Sequence, residues 1–152
     1  MAKQHWLMKS EPDVYSIDDL ERDGSTFWDG VRNYRARNNM RAMQVGDEIL
    51  FYHSRADPPR IVGIARVCRA AYPDPTQFDR RSKHYDEKSK KDDPRWSLVD
   101  IEFVSKLPNP VSLDDVKSEK ALADMELVRY GRLSVQSVKK EEFAHIKRMG
   151  GA

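Results

Sequence analysis

Between Phe27 and Asn38 the chain reads Phe-Trp-Asp-Gly-Val-Arg-Asn-Tyr-Arg-Ala-Arg-Asn. Those are side chains that stack on, clamp and hydrogen-bond planar polar ligands, gathered around a single glycine. A hydrophobic core needs none of the arginines or asparagines. The plainer reading is an exposed basic helix whose flanking aromatics serve the core, and on this stretch alone the two readings stand level. In the binding reading a flat base enters a cavity and stacks on Trp28, while Asn33, Ser10 and backbone groups hydrogen-bond its edge, as for flipped or unpaired bases. Arg32, Arg35 and Arg37 then meet phosphate outside the cavity.

Other chemistries find less support. His5, His53, His84 and His145 are scattered, and the single cysteine, Cys68, ends the apolar run from Ile61, where it reads as a core residue. Metal-ligand spacing is therefore absent, an internal disulfide is impossible, and neither a metal nor a cofactor is expected. Gly30, Gly46 and Gly63 stand alone, so no phosphate loop or dinucleotide fingerprint is present. Ser54 follows His53 directly, and adjacent strand residues point to opposite faces, which is poor geometry for a nucleophile and its base. The acid pairs Asp18-Asp19 and Asp114-Asp115 each follow a serine, Ser16 and Ser112, and suit the first turn of a capped helix better than acid and base work.

Around these residues the chain supplies short elements. Trp6, Leu7 and Met8 read as a buried strand from His5, with Trp6 a core residue, and Lys9-Ser10-Glu11-Pro12 as a polar turn leaving it. A helix starts at Ser16 and stops at Gly24; another is capped by Asn33 and runs to about Met43, with Ala36, Met40 and Met43 on its apolar side. Val45-Gly46-Asp47 turns into a strand at Glu48 to His53, and Ile61 to Val67 forms the next, where Gly63 marks a bulge or close approach. Residues 72–94 read as one long loop of the kind that is functional or disordered. Trp96 to Val104 forms a strand closed by Leu107-Pro108-Asn109-Pro110. Ser112 caps a helix, Val135 lies at a last short strand, Ser137 caps a final helix carrying Phe143 and Ile146, and Gly150-Gly151 fray. Short strands separated by small helices argue for an α+β protein built on a small mixed β-barrel.

The ends of such strands converge on one mouth, which brings Lys9, Ser10, Glu11, Trp28, Asp29, Asn33, Tyr34, Tyr52, His53 and Trp96 together as a candidate base pocket. The chain has 152 residues, enough for one domain with a real core, and its net charge of +2 permits nucleic acid without requiring it. One cysteine and no long apolar run lead to the expectation of a soluble, cytoplasmic protein with no membrane partner.

Six segments, Trp6 to Pro12, Trp28 to Tyr34, Ala36-Arg37-Asn38, Val45-Gly46-Asp47, Phe51 to Ser54 and Gly131 to Val135, resemble the EVE-domain family in order along nearly the whole chain. The resemblance implies a single EVE domain over 1–152 of PUA-like fold, a small β-barrel decorated with short helices. It is related to the YTH domains that hold methylated adenine in an aromatic cage. It also implies a reader of modified bases on DNA or RNA. By position Lys9, Ser10 and Glu11 occupy the family's first-strand end, and Trp28 with Asp29 resembles the cage tryptophan and its neighbour. Tyr72, Tyr85 and Trp96 are the candidates for a second aromatic. Three function classes stay open: a non-enzymatic reader, a protein-interaction module using the basic helix, and an enzyme on a modified nucleotide with His53, Glu11 or Asp29 as acid or base.

Overall fold

Capping chemistry fixes where the helices begin. Ser16 accepts from the Asp19 N–H (3.1 Å) and its own N–H donates to the Asp19 carboxylate (2.9 Å), which starts α1, Ile17–Asp23. Gly24 ends it at φ 80°, a conformation that costs glycine little. Asn33 accepts from the Ala36 N–H (3.0 Å) and opens α2, Tyr34–Ala42. Ser112 and Asp115 repeat the reciprocal cap at α3, Leu113–Ser118. Two further helices follow, α4 at Glu126–Arg129 and α5 at Lys140–Met149. The computed structural model describes residues 3–152.

The strands are β1 (His5–Ser10), β2 (Ser25–Phe27), β3 (Glu48–His53), β4 (Arg60–Pro73), β5 (Ser97–Ser112) and β6 (Val135–Val138). They form one mixed sheet in the order β2-β5-β4-β3-β1-β6, in which only β1 and β3 run parallel. Among the described residues no ladder joins β2 to β6, so the ring expected of a barrel is not closed by hydrogen bonds. Both edge strands are very short, three and four residues, which leaves little backbone for such a seam.

Side chains alternate across this sheet and build two cores. Trp6, Met8, Ile49 and Phe51 pack with Leu20 of α1 and Ala36 and Met40 of α2 on one face. Leu7, Leu50 and Tyr52 pack with Val116 of α3, Leu127 of α4 and Phe143 and Ile146 of α5 on the other. Asp47, buried at the Val45-Gly46-Asp47 turn, accepts from the Trp6 indole N–H (3.0 Å) and from the Gln44 N–H (2.9 Å), tying β1 to the start of β3.

Several elements depart from expectation. β5 does not stop at Leu107. Ile61 pairs with Val111 and Gly63 with Lys106, so residues 107–110 bulge out opposite Val62, and both prolines sit where no ladder donor is needed. β4 and β5 are long, and four register shifts bend them. Gly63 has its close approach: a Cβ there would lie 2.7 Å from Ile17. Ser137 belongs to β6, and the α5 cap is made by Lys139, whose N–H donates to the Glu142 carboxylate (2.9 Å). Gly150 and Gly151 are held: their N–H groups donate to Ile146 (2.9 Å) and Arg148 (3.1 Å), and Asn109 donates to the Gly150 carbonyl (3.0 Å). Cys68 is only half-buried, on the side of β4 away from Val67.

Candidate functional site

The Trp28-Asp29-Gly30 segment leaves β2 along the sheet edge. The Trp28 N–H donates to the Val99 carbonyl (2.8 Å), and its indole meets the buried Phe51 ring edge to face at 5.6 Å, so one side of the ring is set by the core while the residue stays half-exposed. Gly30 follows at φ 77°, and its N–H donates to the Asp74 carboxylate (2.8 Å). A Cβ on Gly30 would stand 2.5 Å from the His84 imidazole, so glycine lets the long loop close onto this segment.

Asp74 organises that loop. Fully buried, it accepts from the Thr76 N–H (2.8 Å) and hydroxyl (2.5 Å), from Gly30 and from Arg32 (3.2 Å). Burial alone would push its pKa up. Hydrogen bonds from Thr76, Gly30 and Arg32 together outweigh burial and hold it below the usual carboxylate range. Gln77 continues the bracing: its amide donates to the Asp74 (2.7 Å) and Trp96 (2.8 Å) carbonyls. Residues 75–78 form a 3-10 turn, and hydrogen bonds run through the loop as far as Trp96, whose indole N–H donates to Asp86 (2.7 Å).

A cavity of about 670 Å³ opens between these pieces, within the range of small-molecule sites. Lys9, Ser10 and Glu11 form one wall at the end of β1, with Val14 and Tyr15 beside them. Thr26 to Gly30 line it as well, and Lys83 and His84 join them from the loop. The Lys9 ammonium donates to the Gly131 carbonyl (2.8 Å) and burial pushes its pKa down. The Ser10 hydroxyl donates to the Tyr15 carbonyl (2.6 Å), and Glu11 pairs with Arg55 (3.0 Å). Tyr15 donates to Asp23 (2.8 Å), and burial with that carboxylate pushes its hydroxyl up to about 12, so it stays a neutral donor. The Asp29 carboxylate has no hydrogen-bond or ion-pair partner among the described residues. The arrangement offers an indole face, a free acceptor at Asp29 and a cation at Lys9.

Five of the ten expected pocket residues, Lys9, Ser10, Glu11, Trp28 and Asp29, thus line one cavity, and the other five lie elsewhere. Asn33 lies outside this cavity and gives its side-chain oxygen to the α2 cap. Tyr34 stacks on Trp96 at 4.9 Å, and Trp96 is buried under it. Tyr52 is buried in the second core, and His53, also buried, accepts from the Ile17 N–H (3.1 Å). Tyr72 donates to Asp100 (2.6 Å), and neither it nor Tyr85 lines the cavity. The aromatic groups that do join Trp28 are Tyr15, Phe27 and His84.

The arginines also divide. Arg32 donates to the His84 carbonyl (2.6 Å) and to Asp74, which makes it a brace of the loop. Arg37 stacks on Tyr34 (4.7 Å) and donates to the Arg95 carbonyl (3.0 Å). Arg35 reaches Glu126 at 3.4 Å and lies over the Tyr130 ring (4.4 Å). Nothing local in the sequence marks Lys83 and His84, because their place depends on a loop closure whose sequence trace is a lone glycine at position 30. Among the described residues no group of three or more histidine, cysteine or acidic side chains is placed to hold a metal ion, and no helix is long and apolar enough to cross a membrane.

The EVE domain matches residues 4–149. Thymocyte nuclear protein 1 of Gallus gallus is 44% identical over 158 residues, a match that takes in 91% of this chain and 65% of that protein, so the chain spans less than two thirds of the relative's length. The structure of a hypothetical protein from Leishmania major superposes with a TM-score of 0.94 at 47% identity, covering 99% of this chain and 96% of the other. Human THYN1 protein, solved in complex with 5-methylcytosine-containing DNA, gives a TM-score of 0.94 at 41% identity, with 99% of each chain covered. By these matches the chain is a member of the EVE-domain family.

Proposed function

We propose that this chain, acting as one EVE domain, is a non-enzymatic reader that takes a modified base of a DNA strand into the cavity beside Trp28. One observation carries the reading: a cavity of about 670 Å³ is lined by a half-exposed indole and, from the next residue, a free carboxylate, at the place where the family motifs Trp6 to Pro12 and Trp28 to Tyr34 meet. The human relative solved with 5-methylcytosine DNA supports the choice of ligand class. The base stacks on Trp28, and Asp29 accepts from an exocyclic amino group, the contact that acidic side chains make with cytosine. Ser10 is a poor nucleophile here because its hydroxyl is held by the Tyr15 carbonyl, and His53 serves α1, which favours binding over turnover.

Magnitudes set what the site must do. Stacking contributes about 1–3 kcal/mol per base. Burying one extra methyl contributes only about 0.8 kcal/mol, roughly a fourfold preference, so the site must also penalise the bare base through a void or an unpaired group.

Fluorescence anisotropy with labelled single strands tests this, each strand carrying 5-methylcytosine, cytosine or thymine at one position, with RNA of the same sequence as a further arm. Wild type is expected to prefer 5-methylcytosine over both others, thymine losing because it presents a carbonyl to Asp29. Trp28→Ala is expected to lose about 5- to 150-fold in affinity. Equal binding of the three strands, or an unchanged affinity in the variant, would sink the reading.

A further inference from the structure

Next to the base cavity lies a second concavity of about 350 Å³, lined by Asn33, Arg35, Tyr130, Gly131, Arg132 and Leu133. Among the described residues its lining holds two arginines and no carboxylate. Arg132 is exposed in the turn before β6 and has no hydrogen-bond or ion-pair partner among the described residues. Arg35 is braced from behind by the Tyr130 ring at 4.4 Å, and its one ion pair is a long 3.4 Å contact to Glu126, a carboxylate already engaged by the Ser137 N–H (3.2 Å) and hydroxyl (3.1 Å). Asn33 spends its side-chain oxygen on the α2 cap, which leaves its amide N–H groups as donors at the groove. Lys9 joins the two sites: it lines the base cavity, and its ammonium donates to the Gly131 carbonyl on the groove's edge.

We infer that this groove holds a phosphodiester of the strand adjacent to the nucleotide whose base enters the cavity. The inference rests on the cavity reading and adds the backbone contact to it. Arg35 and Arg132 are the cations for the two non-bridging oxygens, Asn33 donates a third hydrogen bond, and the exposed Tyr130 ring offers a face for a neighbouring sugar or base. The other arginines of the stretch cannot take this role without giving up the contacts that hold the loop, Arg32 at His84 and Asp74 and Arg37 at Arg95. The Gly131 to Val135 motif thereby gains a function: it carries Arg132 to the groove and presents the carbonyl that fixes Lys9.

The test is the salt dependence of strand binding by anisotropy for wild type, Arg132→Ala, Arg132→Lys and, as a distant control, Lys147→Ala on α5. Because Arg132 is an exposed turn residue, melting of Arg132→Ala should match wild type. Its plot of log affinity against log salt should be shallower by roughly 0.7, the value of one phosphate contact on a single strand. Arg132→Lys should keep the slope and Lys147→Ala should leave both slope and affinity alone. The preference for 5-methylcytosine should be the same in all four proteins, since the groove touches no base edge in the cavity. An unchanged slope in Arg132→Ala, with Trp28→Ala still weakening binding, overturns the groove and leaves the cavity reading standing. A reduced slope in a protein that binds modified and unmodified strands alike supports the groove and overturns the cavity reading. No strand binding by wild type overturns both.

Discussion

Gly30 shows how one residue links backbone conformation to the site. It combines a φ of 77° with a position where any side chain would meet His84, and its N–H is one of the donors that hold Asp74. Gly30→Ala is expected to cost about 1–3 kcal/mol from the backbone alone. It should also push His84 off the cavity wall and weaken strand binding beyond what lost stability explains. Denaturant melts beside anisotropy measure both, and a variant that binds as wild type would mean His84 is idle. At this scale the sequence was partly legible. An indole beside Asp-Gly in a run of arginines fits a core aromatic and a stacking face equally well in sequence, and Trp28 in the fold both packs on Phe51 and lines the cavity, whereas Arg32 looks like its neighbours and only the fold shows it bracing a carbonyl. Tyr52 and His53 were plausible as a strand end, yet β3 is buried on both faces, so neither points to solvent.

Among the elements, the loop between β4 and β5 has most to lose, because its shape depends on one buried carboxylate. Asp74 has a folded pKa held below its unfolded value of about 3.9, so its contribution is fully present above that value and is lost as pH falls through the folded pKa. Asp74→Asn should therefore melt lower than wild type at pH 7, by about 3 kcal/mol, since it strips the half-buried Arg32 of its partner and turns an amide toward backbone donors. Thermal melts taken from pH 7 down to pH 3 should show that gap narrowing as the wild-type carboxylate protonates. A gap that stays constant would mean the charge is not what holds the loop. The helices were readable from their caps, Ser16, Asn33 and Ser112, because a cap is a local pattern. The loop was not, since Asp74, Gln77 and Asp86 act on partners ten to forty-four residues away. The length of β5 was hidden by Pro108 and Pro110, which signal a strand end unless a bulge accommodates them.

For the whole molecule, a sheet with one core on each face leads to the expectation that stability and strand binding can be changed separately. Both cores hold the fold, but only the face carrying Phe51 touches Trp28, while Leu50, the next residue along β3, points into the other core among α3, α4 and α5. Substitutions at these adjacent positions should therefore behave differently. Leu50→Ala removes a fully buried side chain and should cost about 2–5 kcal/mol, which a domain of ordinary stability survives at 25 °C, with strand affinity unchanged. Phe51→Leu should cost less, about 1.5 kcal/mol, because most of the volume is kept. It nevertheless deprives the indole of an edge-to-face contact worth about 0.5–1.5 kcal/mol, so affinity should fall by up to about tenfold. The more stable variant is thus expected to be the weaker binder. Chemical denaturation and anisotropy on the same preparations decide it: if affinity tracks global stability in both variants, the face beneath Trp28 has no special claim on the ligand.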